Sequence, residues 1–202
     1  MSKATEKFWA GEFGDQYQKR NRVDWKKKMP FFRQMIRMTG MTSVLEVGCG
    51  PGWNLRAIDQ VSGMSVGVAG CDINETAIKQ AQRALPMADF DIMPATAIEE
   101  TYADAYFDLV MTAGLLIHVP PSEIKEVMRQ IAALSDHYVL AIEYASLKEE
   151  EIDYRGHAGR LWRRPYGAMY ADLGLNIEYC APLGPEQGFG EGCMAWLLRK
   201  MP

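Results

Sequence analysis

Features that would mark an exported, membrane-spanning or metal-binding protein are scarce in this chain. Its four cysteines, Cys49, Cys71, Cys180 and Cys193, include no C-x-x-C pair and no metal-ligand spacing. A thiol-held metal is therefore not expected, and the pattern suits a reducing compartment. No stretch approaches the roughly 20 apolar residues of a membrane span. The opening residues MSKATEKFWAGEF lack the apolar centre of a secretion signal, so a cytoplasmic location is expected. Basic excess is missing too. The formal net charge of −4 argues against a general nucleic-acid binder, which carries a basic surface. With neither repeats nor low-complexity linkers, 202 residues suit one domain with a sizeable core.

The informative stretch is Val44 to Gly52, VLEVGCGPG. Val44-Leu45-Glu46-Val47 is apolar and β-branched enough for a buried strand. It breaks into glycines at 48, 50 and 52, where a backbone without side chains can approach a ligand closely and take positive φ. Asn54 to Gln60 has helical character, which makes the unit strand, glycine loop, helix. A second apolar run, Val66 to Cys71, ends on Asp72, where an acid at a strand tip can hold a ribose diol by two hydrogen bonds. The dinucleotide fingerprint G-x-G-x-x-G is not matched, because Trp53 stands where its third glycine would ease the chain past a pyrophosphate.

Further strands are expected at Asp89–Met93, Phe107–Thr112 and Tyr138–Tyr144, and helices at Glu75–Leu85, capped by Asn74, and Ser122–Leu134, capped by Ser122. Such alternation implies a parallel sheet with helices on both faces and a ligand beyond the carboxyl ends of the strands. Leu175–Ala181 and Met194–Arg199 are separated by a glycine-rich loop with no helix, so they should close the sheet as an antiparallel hairpin. Lys26-Lys27-Lys28 reads as a solvated helix face, and Phe13, Phe31 and Phe32 read as core for the first helices. Asp108, at the start of its strand, is expected to be structural.

The spacing E-x-G-x-G-x-G from Glu46 resembles motif I of class I S-adenosylmethionine (SAM) methyltransferases. That resemblance implies a single-domain Rossmann-like α/β fold with a mostly parallel seven-stranded sheet, residues 41–202 forming the catalytic core and 1–40 a helical lid. It also implies SAM as cofactor, with Glu46, Gly48, Gly50, Gly52 and Asn54 around its amino-acid end and Asp72 on the ribose. Thr112 and Leu115 would line the methionine half. Relatives often carry an acid for adenine after the third strand, where this chain has Ala95-Thr96. Adenine would then rest on Thr96, Ala97, Ile73 and Ile98. Trp9 and Tyr17 could cover the cofactor, because an aromatic face attracts a sulfonium.

Two stretches narrow the resemblance. Phe8-Trp9-Ala10-Gly11-Glu12-Phe13-Gly14-Asp15-Gln16-Tyr17 and Tyr154-Arg155-Gly156-His157, running on to Arg160-Leu161-Trp162, are similar to the pseudaminic acid biosynthesis-associated methylases. The expected acceptor is thus a small anionic molecule such as a sugar or nucleotide-linked sugar. Arg155, Arg160 and Glu143 are the candidates to bind it, while Arg163 and Arg164 read as a solvated basic turn paired with Glu149-Glu150-Glu151. A base is needed only if the acceptor is protonated when attacked. His118, Tyr154 and His157 are the catalytic candidates, with Glu143 as a further base. Two rival readings stay open: a nucleic-acid base methyltransferase, and a non-catalytic SAM or nucleoside binder. Neither the acceptor atom nor an oligomeric state follows from the sequence.

Overall fold

The computed structural model describes residues 3–21 and 23–201. Its strands are β1 (Ser43–Val47), β2 (Gly67–Asp72), β3 (Asp89–Ile92), β4 (Phe107–Ala113), β5 (Ser135–Tyr144), β6 (Glu150–Tyr154), β7 (His157–Arg163), β8 (Leu175–Leu183) and β9 (Cys193–Lys200). Seven of them form one sheet in the order β3-β2-β1-β4-β5-β9-β8. All neighbours from β3 to β5 are parallel, and β9 lies antiparallel between β5 and β8. The expected fold class and closing hairpin are both present. Strand order reverses between β1 and β4, which opens the crevice where ligands of such sheets bind.

The helices are α1 (Lys3–Ala10), α2 (Glu12–Arg20), α3 (Met29–Thr39), α4 (Trp53–Ser62), α5 (Glu75–Ala84), α6 (Ile124–Leu134) and α7 (Tyr166–Ala171). One sheet face is covered by α3, α4 and α5 through Phe31, Phe32, Met35, Leu55, Ile58 and Ile78. The opposite face is covered by α6 and α7 through Val127, Ile131, Leu134, Tyr166 and Tyr170. Central strands buried on both faces explain their nearly continuous apolar sequences. Asn74 caps α5 as expected, its side chain accepting from the Ala77 N–H. The cap of α6 is Glu123 rather than Ser122, and it makes no side-chain cap bond. Asp108 is structural, accepting from Thr42 N, Thr42 Oγ1 and Ser43 N at 2.6, 2.7 and 3.0 Å and so tying β4 to the start of β1.

Three departures from the sequence reading shape the site. The basic turn is instead a hairpin, β6 paired antiparallel with β7, inserted between β5 and α7. Arg164 at its end is fully buried, donating to the Leu116 and Val119 carbonyls at 3.0 and 2.9 Å and to Glu149 Oε2 at 2.6 Å. Five donors in a rigid fork let this one side chain satisfy several acceptors at once, which a solvated surface would not require. Lys28 is buried as well, in the short 3₁₀ turn Trp25–Lys28 that precedes α3. Phe31 and Phe32 are core, but Phe13 stacks on Phe8 with ring centroids 4.0 Å apart, between α1–α2 and the hairpin.

Candidate active site

A cavity of about 710 Å³ opens beyond the carboxyl ends of β1, β2, β4 and β5. Its floor is the glycine loop. Gly50 (φ 53°) faces open space: a Cβ built there would meet nothing nearer than Gln18 Oε1 at 3.8 Å. Gly48 and Gly52 are packed instead, against Leu115 and Ala81, so they let the loop nestle between elements. Asp72 binds the loop to α5, accepting from Gly50 N through Oδ2 and from Asn74 N through Oδ1, each at 2.8 Å. Burial raises its pKa against the pull of these N–H groups. Each oxygen keeps a lone pair for a further donor.

Below the loop, Glu46 is fully buried, and burial pushes its carboxyl up. Its Oε1 accepts from Asn54 Nδ2 at 2.6 Å, while Oε2 is buried with no partner. Asn54 in turn accepts from Lys28 Nζ through Oδ1 at 2.8 Å. The Lys28 ammonium sits 4.0 Å from the centroid of the Phe189 ring, and its desolvation lowers its pKa. Sequence reasoning missed Lys28 because three adjacent lysines carry no signal for which one turns inward. The aromatic Phe189, in a loop far along the chain, decides that.

The roof is built from the other end of the chain. Trp9 packs on His118 (4.4 Å between centroids) and Tyr154 (6.1 Å), and all three line the cavity. His118 donates from Nδ1 to the Arg160 carbonyl at 2.6 Å, which leaves Nε2 as the nitrogen with a free lone pair. Burial outweighs that bond and takes its pKa down to about 4, so the ring is neutral at physiological pH. Tyr154-Arg155-Gly156-His157 makes the two-residue hairpin turn, with φ positive at both Arg155 (56°) and Gly156 (80°). That is the geometry of a type I′ turn, normally given to Asn or Gly. Holding an arginine there costs roughly 1–3 kcal/mol, a strain that marks functional positions. Arg155 lies on the cavity wall.

Most expected residues meet at this cavity: Trp9, Tyr17, Glu46, Gly48, Gly50, Asn54, Asp72, Ile73, Leu115, His118, Tyr154 and Arg155. Others do not reach it. Glu143 is buried behind the β4 loop, where Oε1 accepts from Leu115 N and Leu116 N at 3.2 and 3.1 Å, so its carboxylate holds the backbone rather than an acceptor. Arg160 donates to Thr5 Oγ1 at 2.6 Å and covers the Phe8 ring, fastening the hairpin to α1. His157 packs edge-on against Phe8 and Phe13, away from the cavity lining. Thr112 and Ile98 are fully buried, and neither they nor Thr96, Ala97 and Gly52 line the cavity. In the expected adenine region the lining is Ile73, Met93 and Ala95.

The cradle fits SAM on three counts. Gly50 leaves room for a ligand against bare backbone, Glu46 Oε2 is a buried acceptor lacking a donor, and Asp72 keeps free lone pairs at the tip of β2. Among the described residues, no helix is long and apolar enough to cross a membrane.

Residues 44–136 match a family described as "Methyltransferase domain". The magnesium protoporphyrin IX methyltransferase of Synechocystis PCC 6803, crystallised with S-adenosylhomocysteine (SAH), superposes with a TM-score of 0.70 at 14% identity, over 98% of each chain. The 1,6-didemethyltoxoflavin-N1-methyltransferase of Burkholderia thailandensis, bound to 1,6-didemethyltoxoflavin and SAH, gives 0.68 at 18% identity, over 89% of this chain and 80% of that one. A SAM-dependent methyltransferase from Archaeoglobus fulgidus gives 0.65 at 17%, over 94% of this chain and 100% of that one. No curated protein sequence matches. At such identities the superpositions establish the fold. Residues 44–136 match a methyltransferase domain, and the chain as a whole has the fold of S-adenosylmethionine-dependent methyltransferases of class I architecture.

Proposed function

We propose that the protein methylates a small anionic acceptor, such as a sugar acid or nucleotide-linked sugar, held under the hairpin by Arg155. The observation that carries this reading is the strained Arg155 at the wall of the cavity, on the same turn as Tyr154. A guanidinium presents paired donors to carboxylate or phosphate oxygens. The resemblance of the Phe8–Tyr17 and Tyr154–Trp162 stretches to pseudaminic acid biosynthesis-associated methylases supports the sugar class. The solved relatives named for 1,6-didemethyltoxoflavin and magnesium protoporphyrin IX support a small molecule over a polymer.

SAM supplies a methyl group already activated on a sulfonium, so the chain's task is alignment and exclusion of water. Asp72, Gly50 and Glu46 would hold the donor, with residues 3–20 as its lid. Trp9 and Tyr154 wall the space beside His118. Neutral His118, its tautomer fixed by the Arg160 carbonyl, would accept a proton at Nε2 from a hydroxyl or N–H acceptor. Of the three sequence candidates, His157 lacks this position.

The test is mass spectrometry of small-molecule extracts incubated with the protein and methyl-labelled SAM, followed by kinetics on the labelled product's precursor. Arg155→Ala is expected to cut kcat/KM for that acceptor by roughly ten- to a hundred-fold and leave SAM affinity within about two-fold. A labelled neutral molecule, or an Arg155→Ala protein of unchanged kinetics, would refute the anionic acceptor.

A further inference from the structure

Between Arg83 and Lys125 the chain has no lysine or arginine and seven carboxylates. That segment contains β3, an edge strand of the sheet, and the loop that leads into β4. Between them lies a second cavity of about 480 Å³, which shares no lining residue with the first. Asp89 and Asp91 stand two apart on β3, so both carboxylates lie on one face of the strand. Asp91 Oδ2 accepts from the Tyr102 hydroxyl at 2.6 Å, and among the described residues neither acid has an ion-pair partner. Arg129 of α6 reaches the segment but is already paired with Glu99 and Glu126. Much of the remaining wall is aromatic. Tyr102 and Tyr106 each meet the Phe107 ring near a right angle, at 77° and 73°, with centroids 5.6 and 4.9 Å apart. Rings set this way form a corner rather than a stack. Tyr106 is 66% exposed, yet its backbone is fixed. The Ala105 and Tyr106 N–H groups donate to the Ala133 and Leu134 carbonyls at 2.9 and 3.1 Å, with Ala105 held at φ 51°. A large ring is thus kept in water beside the pocket by a turn that glycine would make with less strain.

We propose that this pocket binds an alkylammonium ion, its methyl or methylene groups against Tyr102, Tyr106 and Phe107 and its charge facing Asp89 and Asp91. A cation within about 6 Å of a ring centroid is attracted by the negative face of the ring. Carboxylates beside the rings add an unscreened partner for the same charge. Other ligand classes leave part of this wall unused. An anion would face two unpaired acids, and a neutral apolar molecule would leave them without a partner. A bare metal ion would gain nothing from three rings. The volume suits a small molecule. Neither the donor cradle nor the acceptor reading involves these residues, so the site stands or falls independently of both.

Calorimetry on the full chain tests the pocket with three probes. Choline carries a trimethylammonium group, 3,3-dimethylbutan-1-ol has the same shape without the charge, and spermidine carries primary and secondary ammonium groups. The wild-type protein is expected to bind the tighter of the two cations at least about ten-fold more tightly than the neutral alcohol. Tyr106→Leu, which keeps apolar bulk but removes the ring, should weaken that cation at least about five-fold, and Tyr106→Phe should stay within about two-fold of wild type. Asp89→Asn should weaken the cation and leave the alcohol within about two-fold. Which cation binds more tightly assigns the ligand to the methylated ammonium ions or to the polyamines. Saturating SAH should leave the affinity within about two-fold, because the two cavities share no residue. Equal affinity for cation and alcohol overturns the proposal, as does unchanged cation binding in Tyr106→Leu. Displacement by SAH, or no binding of either cation at about ten millimolar, overturns it as well.

Discussion

The two ends of the cavity are built in different ways. The floor is local: Glu46 reaches Asn54 across one turn of chain, and Asp72 reaches Gly50 from the neighbouring strand tip. The roof is long-range: Arg160 meets Thr5, His157 meets Phe8, and Trp9 meets His118. The floor is held by backbone turns and carboxylates that cannot move without breaking the sheet. The roof rests on ring contacts, a hairpin and two short helices. On the proposed reading, donor recognition belongs to the part built from one sheet end, and acceptor recognition to the part assembled from distant segments.

The comparison can be broken at its joint, Arg164, the buried cation that ties the hairpin to the loop after β4. Arg164→Ala leaves two carbonyls without their donor and is expected to cost about 3–5 kcal/mol of stability. Urea unfolding measures this, and a loss below about 1 kcal/mol would mean that the roof is anchored elsewhere. On the floor, Gly50→Val places a side chain where the cavity is open. It is expected to weaken SAH at least about a hundred-fold, or about 2.7 kcal/mol, with far-UV circular dichroism retained. Normal binding would show that the glycine loop is not the cradle.

His118 sharpens the roof by pH. Its pKa falls from 6.5 to about 4 in the fold, so the unfolded chain takes up a proton that the folded chain refuses. Stability from this group is complete above the unfolded value and is lost as pH drops through the interval toward the folded one. Between neutrality and about pH 4.5 the loss should reach about 2–3 kcal/mol, and His118→Gln should remove that share of the acid slope. An identical slope in the variant would show that the ring is not buried in solution. The smallest effect belongs to the turn. Arg155→Gly relieves a positive φ and is expected to raise stability by up to about 1 kcal/mol while acceptor turnover falls. A clear loss of stability would mean that Arg155 holds the hairpin rather than the acceptor.

The sheet was legible because each of its strands has its own signal: apolar runs, breakers and a glycine loop at the switch point. The hairpin β6–β7 was not, since β6 alternates half-buried and exposed residues, β7 buries just Leu161 and Trp162, and neither has an apolar run to announce it. Arg164 and Lys28 were misread for one reason. Their neighbours in sequence are also basic, and a run of like charges looks solvated unless the fold is known. Glu143 was placed correctly at a strand tip but on the wrong task, because nothing in the sequence shows that the Leu115 and Leu116 amides would turn toward it.

By itself the sequence determined the doubly covered sheet, the glycine loop with Glu46, Gly50 and Asp72 at one cavity, and the cap at Asn74. These depend on period, backbone freedom and spacing within a few dozen residues, which a linear pattern records. Tertiary structure alone decided which lysine lies under Phe189, which histidine faces the cavity, and that the Arg160 carbonyl fixes its tautomer. Such choices compare the cost of burying a charge or ring with the partners that distant segments bring to it, and those partners exist only once the chain has closed.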